Sequence, residues 1–400
     1  YREGRPVISF TIAEQEALLL PRTVRVSGRF QAFTSSARGP VTGDQLSMDS
    51  KLGGWSVIDQ VVLKSATSKA TIEHLRHANR FYSSYFGVMN DEKALINQYG
   101  ETGLSLPSYD AQRRSVVEEG NGANSNEFCI HIPTGLLLGS DAINLSRDTG
   151  CGGLSMDIHL APDSMVLYDS AGDPVGSGLT GAFYELSDLK LTCELHEPAE
   201  PIKMSAPLEY NSFTGYYSTI NSTNATLNFS LGLSRVSSVF MNFIPSKYLN
   251  NLAYNSLQTI IPVDKSGAIA DLSQVVMTKG GSRYPLDYNI DKSQIDPQVS
   301  RNFMNAVIPF TKLTHTLVSP INTNKNWTST DKDILEGGMN WGVGVAYDIL
   351  GSDGADFSRM AWGAQMELGL TDDNPTSCYI FVKHKNTLVF GGDGQVSVIS

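Results

Sequence analysis

Glu197-Pro198-Ala199-Glu200-Pro201-Ile202-Lys203-Met204-Ser205-Ala206-Pro207 lies close to the midpoint of a 400-residue chain. Proline has no amide proton to give to a helix or a sheet, so a charged stretch carrying Pro198, Pro201 and Pro207 reads as a linker. It divides the chain into an N-terminal unit at 1–197, a linker at 198–207 and a C-terminal unit at 208–400. Each unit is large enough to bury its own core. Each is patterned as many short strands, long polar loops and one or two brief helices.

Before the linker, Val24, Val26, Phe30 and Ala32 keep a period of two, which places Arg25 and Arg29 on the opposite face of a strand. Gly28 marks a bulge within it. A second strand covers Ser56–Lys64. The apolar spacing then changes to three and four at Ile72, Leu75, Asn79, Tyr82 and Tyr85, which predicts a short amphipathic helix over 68–85 with Ser68 as its N-cap. After a loop-rich region that includes Gly120–Asn126, strands are expected at Glu127–Pro133, Gly153–Ala161, Met165–Asp169 and Ala182–Glu194. Ser170-Ala171-Gly172-Asp173 reads as a turn.

After the linker, strands are expected at Ala225–Leu233, Val236–Ile244, Gln258–Val263 and Ser273–Thr278, with a short helix at Pro245–Leu252. Asp296-Pro297 starts a second helix, with the aspartate as cap and the proline at the first helical position. The clearest β pattern closes the chain: Gly342–Leu350, Met360–Leu370, Cys378–Lys383, Thr387–Phe390 and Gln395–Ile399. Gly391-Gly392-Asp393-Gly394 is a tight hairpin turn in which glycine supplies positive φ. Strands spaced by turns indicate sandwiches or jelly rolls and not βαβ units. The two halves match in layout and not in residue identity.

The net charge of −11 and pI near 5.1 argue against a nucleic-acid coat, which needs clustered cations. Arg2, Arg5, Arg22, Arg25 and Arg29 are the nearest approach to a basic patch, and Glu3, Glu14 and Glu16 interrupt them. No sequence-specific nucleic-acid binding is expected. Cys129, Cys151, Cys193 and Cys378 lack CxxC spacing and read as unpaired, mostly buried thiols that suit folding in a reducing compartment, with a two-disulfide framework as the alternative. No segment has the length of a membrane span, and the visible N-terminus does not read as a signal peptide. Sequons at Asn144, Asn221, Asn224, Asn228 and Asn326 are about as frequent as the Asn, Ser and Thr content produces by chance.

Chemical motifs are sparse. Glu73-His74-Leu75-Arg76-His77 sets two histidines three apart, where HExxH needs four, and reads as a solvated helix face. No GxSxG, P-loop or GxGxxG element occurs. Gly351–Asp356 and Thr371–Asn374 carry carboxylates, but their spacing is that of strand turns and not of a calcium loop. Trp55, Trp327, Trp341 and Trp362 are candidates for a sugar-stacking platform, but Trp341 and Trp362 lie in strand patterns and read first as core or interface packing residues. No catalytic residue, cofactor site or metal site is assigned, and no enzymatic activity is expected.

Leu20-Pro21-Arg22-Thr23-Val24-Arg25-Val26-Ser27-Gly28 resembles the opening strand of double jelly-roll major capsid proteins of small tailless double-stranded DNA viruses, of the polinton-like, virophage and adintovirus type. The segment Ile72–Phe81 with Tyr82 and Tyr85 resembles them as well. So do Pro375–Phe390 and the Gly394-Gln395-Val396-Ser397-Val398 that follows. The resemblance implies an all-β fold with a few short helices, built as two tandem eight-stranded jelly-roll β-sandwiches. It implies a viral major capsid protein located in the virion shell, whose homotrimers form pseudo-hexameric capsomers of an icosahedral capsid. The implied partners are the protein itself, neighbouring capsomers, penton and minor capsid proteins, and an internal membrane. Gly87–Asn126 and Ile321–Gly338 would form towers or clasps between subunits. A secreted or surface β-sandwich that binds glycan or a receptor is the alternative, and a carbohydrate-active enzyme is a third.

Overall fold

The computed structural model describes residues 1, 6–34, 46–49, 52–89, 125–169, 173–176, 178–200, 202, 205–222, 224–257, 272–284, 290–291, 342–347, 354–368 and 376–400. The first half contains β1 (Val7–Ile12), β2 (Leu18–Leu19), β3 (Arg25–Phe33), β4 (Leu46–Met48), β5 (Ile58–Ser65), β6 (Thr71–Arg76) and α1 (Ala78–Met89). It continues with β7 (Ser125–His131), β8 (Ile143–Asn144), β9 (Leu154–Leu160), α2 (Asp163–Val166), β10 (Leu167–Asp169), β11 (Phe183–Thr192) and β12 (Leu195–His196). The second half contains β13 (Leu208–Ile220), β14 (Asn224–Phe229), β15 (Val236–Pro245), β16 (Leu272–Lys279) and β17 (Ser282–Arg283). After these come β18 (Ile290–Asp291), β19 (Gly342–Ala346), β20 (Trp362–Leu368), β21 (Thr376–Gly392) and β22 (Gln395–Ile399).

The second half forms two antiparallel sheets of four strands in its main path, β13-β21-β15-β19 and β14-β20-β16-β17, which is jelly-roll wiring. The β22 strand adds to β21, and β18 adds to β16. The first half repeats this order strand for strand: β1-β9-β5-β6 matches β14-β20-β16-β17, and β11-β3-β7 matches β21-β15-β19. At the place matching β13, the outer edge of β11, the Tyr1 amine donates to the Leu186 carbonyl at 2.6 Å. The Leu186 amide returns a bond to the Tyr1 carbonyl at 2.8 Å. Two small sheets, the pair β10-β4 and the three-stranded β12-β2-β8, complete the first half.

Alternation along the strands builds the cores. In β9, Leu154, Met156, Ile158 and Leu160 are buried while Ser155, Asp157 and His159 face outward. Trp55 fills the first core and donates its ring N–H to the His131 carbonyl at 2.8 Å. Trp362 fills the second and donates to the Tyr347 hydroxyl at 3.0 Å. Trp362 packs as expected, Trp55 packs in the same way, and each has its polar edge satisfied.

The helix expected over 68–85 is a strand followed by a helix. Residues 65–70 close a turn, with Lys69 at φ 59° and the Ser65 amide bonded to the Ala70 carbonyl, and the chain returns along β5 as β6. A bulge between Leu63 and Lys64 inserts one residue in β6, so Ile72 and Leu75 fall three apart and imitate helical spacing. His77, at φ 54°, then turns the chain into α1. Cys378–Lys383 and Thr387–Phe390 are one strand and not two, because β13 pairs along β21 from Thr376 to Leu388 without a break. Pro245–Leu252 holds only a single 3-10 turn, Ser246–Tyr248. The expected strand Gln258–Val263, the helix at Asp296, and most of Gly87–Asn126 and Ile321–Gly338 lie outside the described residues.

Candidate functional site: the joint between the two halves

The hydrophobic core of the first half does not stop at its own strands. It continues into Tyr210, Phe213, Phe240, Ile244, Tyr379 and Phe381, which belong to the outer face and one end of sheet β13-β21-β15-β19. Three contacts fix this joint.

The first centres on Glu73, buried on β6. One carboxylate oxygen accepts the Gly135 amide at 3.0 Å and the Ser212 hydroxyl at 2.8 Å, and the other accepts the Leu136 amide at 3.0 Å. Ser212 belongs to β13, so a first-half carboxylate ties together a first-half loop and the second half. Burial pushes the Glu73 carboxyl above its ordinary value of 4.5, and the bonds from Leu136, Ser212, Thr134 and Gly135 pull against that rise. The Tyr210 hydroxyl reinforces the tie by donating to the Ile72 carbonyl at 3.0 Å. Gly135 is required by close approach: a Cβ there would lie 1.9 Å from the Asn211 carbonyl oxygen and 2.6 Å from Glu73.

The second contact is the start of α1. Arg80 is fully buried and donates to the Ser256 carbonyl, while its guanidinium lies 4.5 Å above the ring of Tyr379. Burial lowers its pKa below the ordinary guanidinium value. Phe81 packs between Phe213 and Phe381, with ring centroids at 4.6 and 5.5 Å. The Ser83 hydroxyl donates to the Leu257 carbonyl at 2.8 Å.

The third is the tip of the β21–β22 hairpin, where Gly392, Asp393 and Gly394 all have positive φ, as the turn requires. This tip inserts into first-half loops. The Gly394 amide donates to the Arg147 carbonyl at 2.6 Å, and Ser65 Oγ lies 3.0 Å from the Gly394 carbonyl. A Cβ on Gly394 would sit 2.7 Å from Thr67 Cβ and 3.3 Å from Gly152 Cα, so the tip has no room for a side chain there. Asn144 also donates to the Ser205 hydroxyl at 2.7 Å.

The residues weighed from sequence do not converge elsewhere. His74 projects from β6 with Nε2 3.0 Å from Gln60, and His77 packs edge-on against Tyr379 at 5.1 Å. The segment read as a solvated helix face thus contains a buried carboxylate of the joint. No group of three or more metal-ligating side chains forms among the described residues. All four cysteines are unpaired, with Cys151 and Cys378 buried. The segments 351–353 and 371–374, weighed for calcium, lie outside the described residues, as do Trp327 and Trp341. Sequence reasoning missed Glu73, Arg80 and Gly135 as joint residues. A buried bulge partner and a glycine set by a distant backbone leave no local signal.

No family model matches the chain, and no curated protein matches it. Solved structures do. A cryo-EM structure of the Sputnik virophage at 3.5 Å matches with a TM-score of 0.58 and 11% identity, covering 98% of this chain and 85% of that one. The Faustovirus major capsid protein matches with a TM-score of 0.57 and 9% identity over 96% and 88% of the two chains. The mavirus major capsid protein matches with a TM-score of 0.50 and 11% identity over 98% and 86%. With the repeated sheet order, these likenesses identify the fold: the chain is a double jelly roll, sharing the architecture of these viral capsid structures.

Proposed function

We propose that this protein is a viral major capsid protein, a structural subunit and not an enzyme, whose homotrimers form pseudo-hexameric capsomers of an icosahedral shell. One observation carries the reading: two sandwiches of the same wiring are locked to each other through a buried joint, so one chain offers two like blocks in fixed relation. Separate activities would not need that lock. The division 1–197, 198–207 and 208–400 then describes two tile positions and their connector. The acidic net charge of −11 suits a shell that does not pack nucleic acid directly. Penton and minor capsid proteins, and a membrane inside the shell, are the further partners this role calls for.

The glycan-binding alternative calls for exposed tryptophans, and among the described residues Trp55 and Trp362 are 1% and 0% exposed. The test is mass in solution. A 43.5 kDa chain is expected to sediment as a trimer of about 130 kDa. A monomer that persists at high concentration overturns the proposal.

A further inference from the structure

His77 stands where β6, α1 and the second half meet. It sits at φ 54°, and its carbonyl accepts the Phe81 amide at 2.9 Å, so it opens the first turn of α1. Its ring is half-buried against two tyrosines of the second half. The centroid distances are 5.1 Å to Tyr379 on β21 and 6.2 Å to Tyr217 on β13. Tyr379 is buried and Tyr217 is exposed, so the imidazole borders both the joint and water.

We infer that His77 is a proton-sensitive pin of the joint: a proton taken up by its imidazole weakens the hold of α1 on the second half. The contacts lie within one chain, so the inference goes beyond the capsomer reading and applies to monomer and trimer alike.

The surroundings of the ring are set against an imidazolium. Arg80, on α1, already places its guanidinium 4.5 Å above the same Tyr379 ring that His77 packs against. Arg76, the last residue of β6, is a second fixed cation beside it. The unbonded amides of the first turn of α1 add the positive end of a helix dipole. Opposing these is one half-buried carboxylate, Asp59, which follows the first residue of β5. From β13 and β21 the facing groups are the phenols of Tyr217 and Tyr379, and burial raises the Tyr379 phenol above its ordinary value.

The direction of the effect follows. Burial lowers the His77 pKa below 6.5, Asp59 pulls it up, and Arg80 and Arg76 push it down again. A base depressed in this way binds fewer protons in the closed joint than in the opened one. The stability it lends is present above 6.5 and is lost as pH falls from 6.5 through the lowered value. Glu73, on the same strand, works in the other direction, because its raised pKa strengthens the joint as pH falls. The contribution of His77 therefore has to be read as a difference between two proteins that both keep Glu73.

The test compares wild type with His77→Asn, since asparagine tolerates a positive φ and does not titrate. Amide hydrogen exchange of the intact chain is read by mass spectrometry on the α1 peptide holding Phe81, Tyr82 and Ser83, at pH 7.5 and 5.0, with the intrinsic rates divided out. Glu73, His74 and His384 are common to both proteins, so their contributions cancel. Acid is expected to reduce protection in wild type by about threefold more than in the variant. Equal responses in the two proteins overturn the inference. A second measurement needs no variant: exchange of the His77 ring C2 proton, followed against pH in wild type, is expected to titrate below 6.5. A midpoint at or above that value overturns the inference as well.

Discussion

The two halves place their strands in the same order yet treat the same sheet face in opposite ways. In the second half, the outer face of β13-β21-β15-β19 carries aromatic rings and is buried under α1 and β6. In the first half, the outer face of β11-β3-β7 is charged and exposed at Arg29, Glu127 and Lys190, and buried at the stacked rings of Phe33 and Phe183. Wiring therefore does not decide what a jelly-roll face is made of; what covers it does. A face covered within one chain is buried once, during folding, and can be apolar without exposing the folded protein to aggregation. A face that meets water must remain soluble.

The comparison is broken most forcefully at Glu73. Glu73→Ala leaves the Gly135 and Leu136 amides and the Ser212 hydroxyl buried without their acceptor. A loss of about 2–5 kcal/mol is expected in chemical denaturation. A change within experimental error would mean that the halves do not depend on this tie.

Next in size is Lys383, which sits on the covered face. Burial, with the nearby charge of Lys385, lowers its pKa from 10.5 to about 7. A base whose folded pKa is depressed binds fewer protons when folded than when unfolded. Stability is therefore expected to fall as pH is lowered from 10.5 to 7 and to level off below that window. Lys383→Met is expected to gain about 2–4 kcal/mol near pH 7 and to remove this slope. A wild-type stability profile already flat between pH 7 and 9.5 would contradict the burial assigned to this amine.

The smallest effect is expected at the exposed ion pairs of the first-half face. Arg29→Ala should change the stability of the isolated chain by less than about 0.5 kcal/mol, because its ion pairs are exposed. A loss approaching that of Glu73→Ala would erase the distinction between the two faces.

Much of the fold was legible in the sequence where alternation survives intact. Strands β20 and β22, the glycine turn at Gly391–Gly394 and the β3 pattern around Val26 and Phe30 were each legible from their local residues, whereas β21, buried almost throughout, reads as two strands. Alternation failed at β6, where one bulged residue converts strand spacing into the apparent spacing of a helix. The joint was less legible still. Gly135 owes its identity to Asn211, 76 positions away along the chain. Glu73 looks like any surface glutamate until the second half closes over it. Such residues answer to distant backbone, and a single chain of letters records no distances.

The central claim is that one chain supplies two like blocks of a six-block tile. Class averages of the purified protein by electron cryomicroscopy test it most directly. The account predicts a six-lobed particle with three-fold symmetry, and hexagonal arrays when the protein is concentrated. Isolated two-lobed particles at every concentration would contradict it.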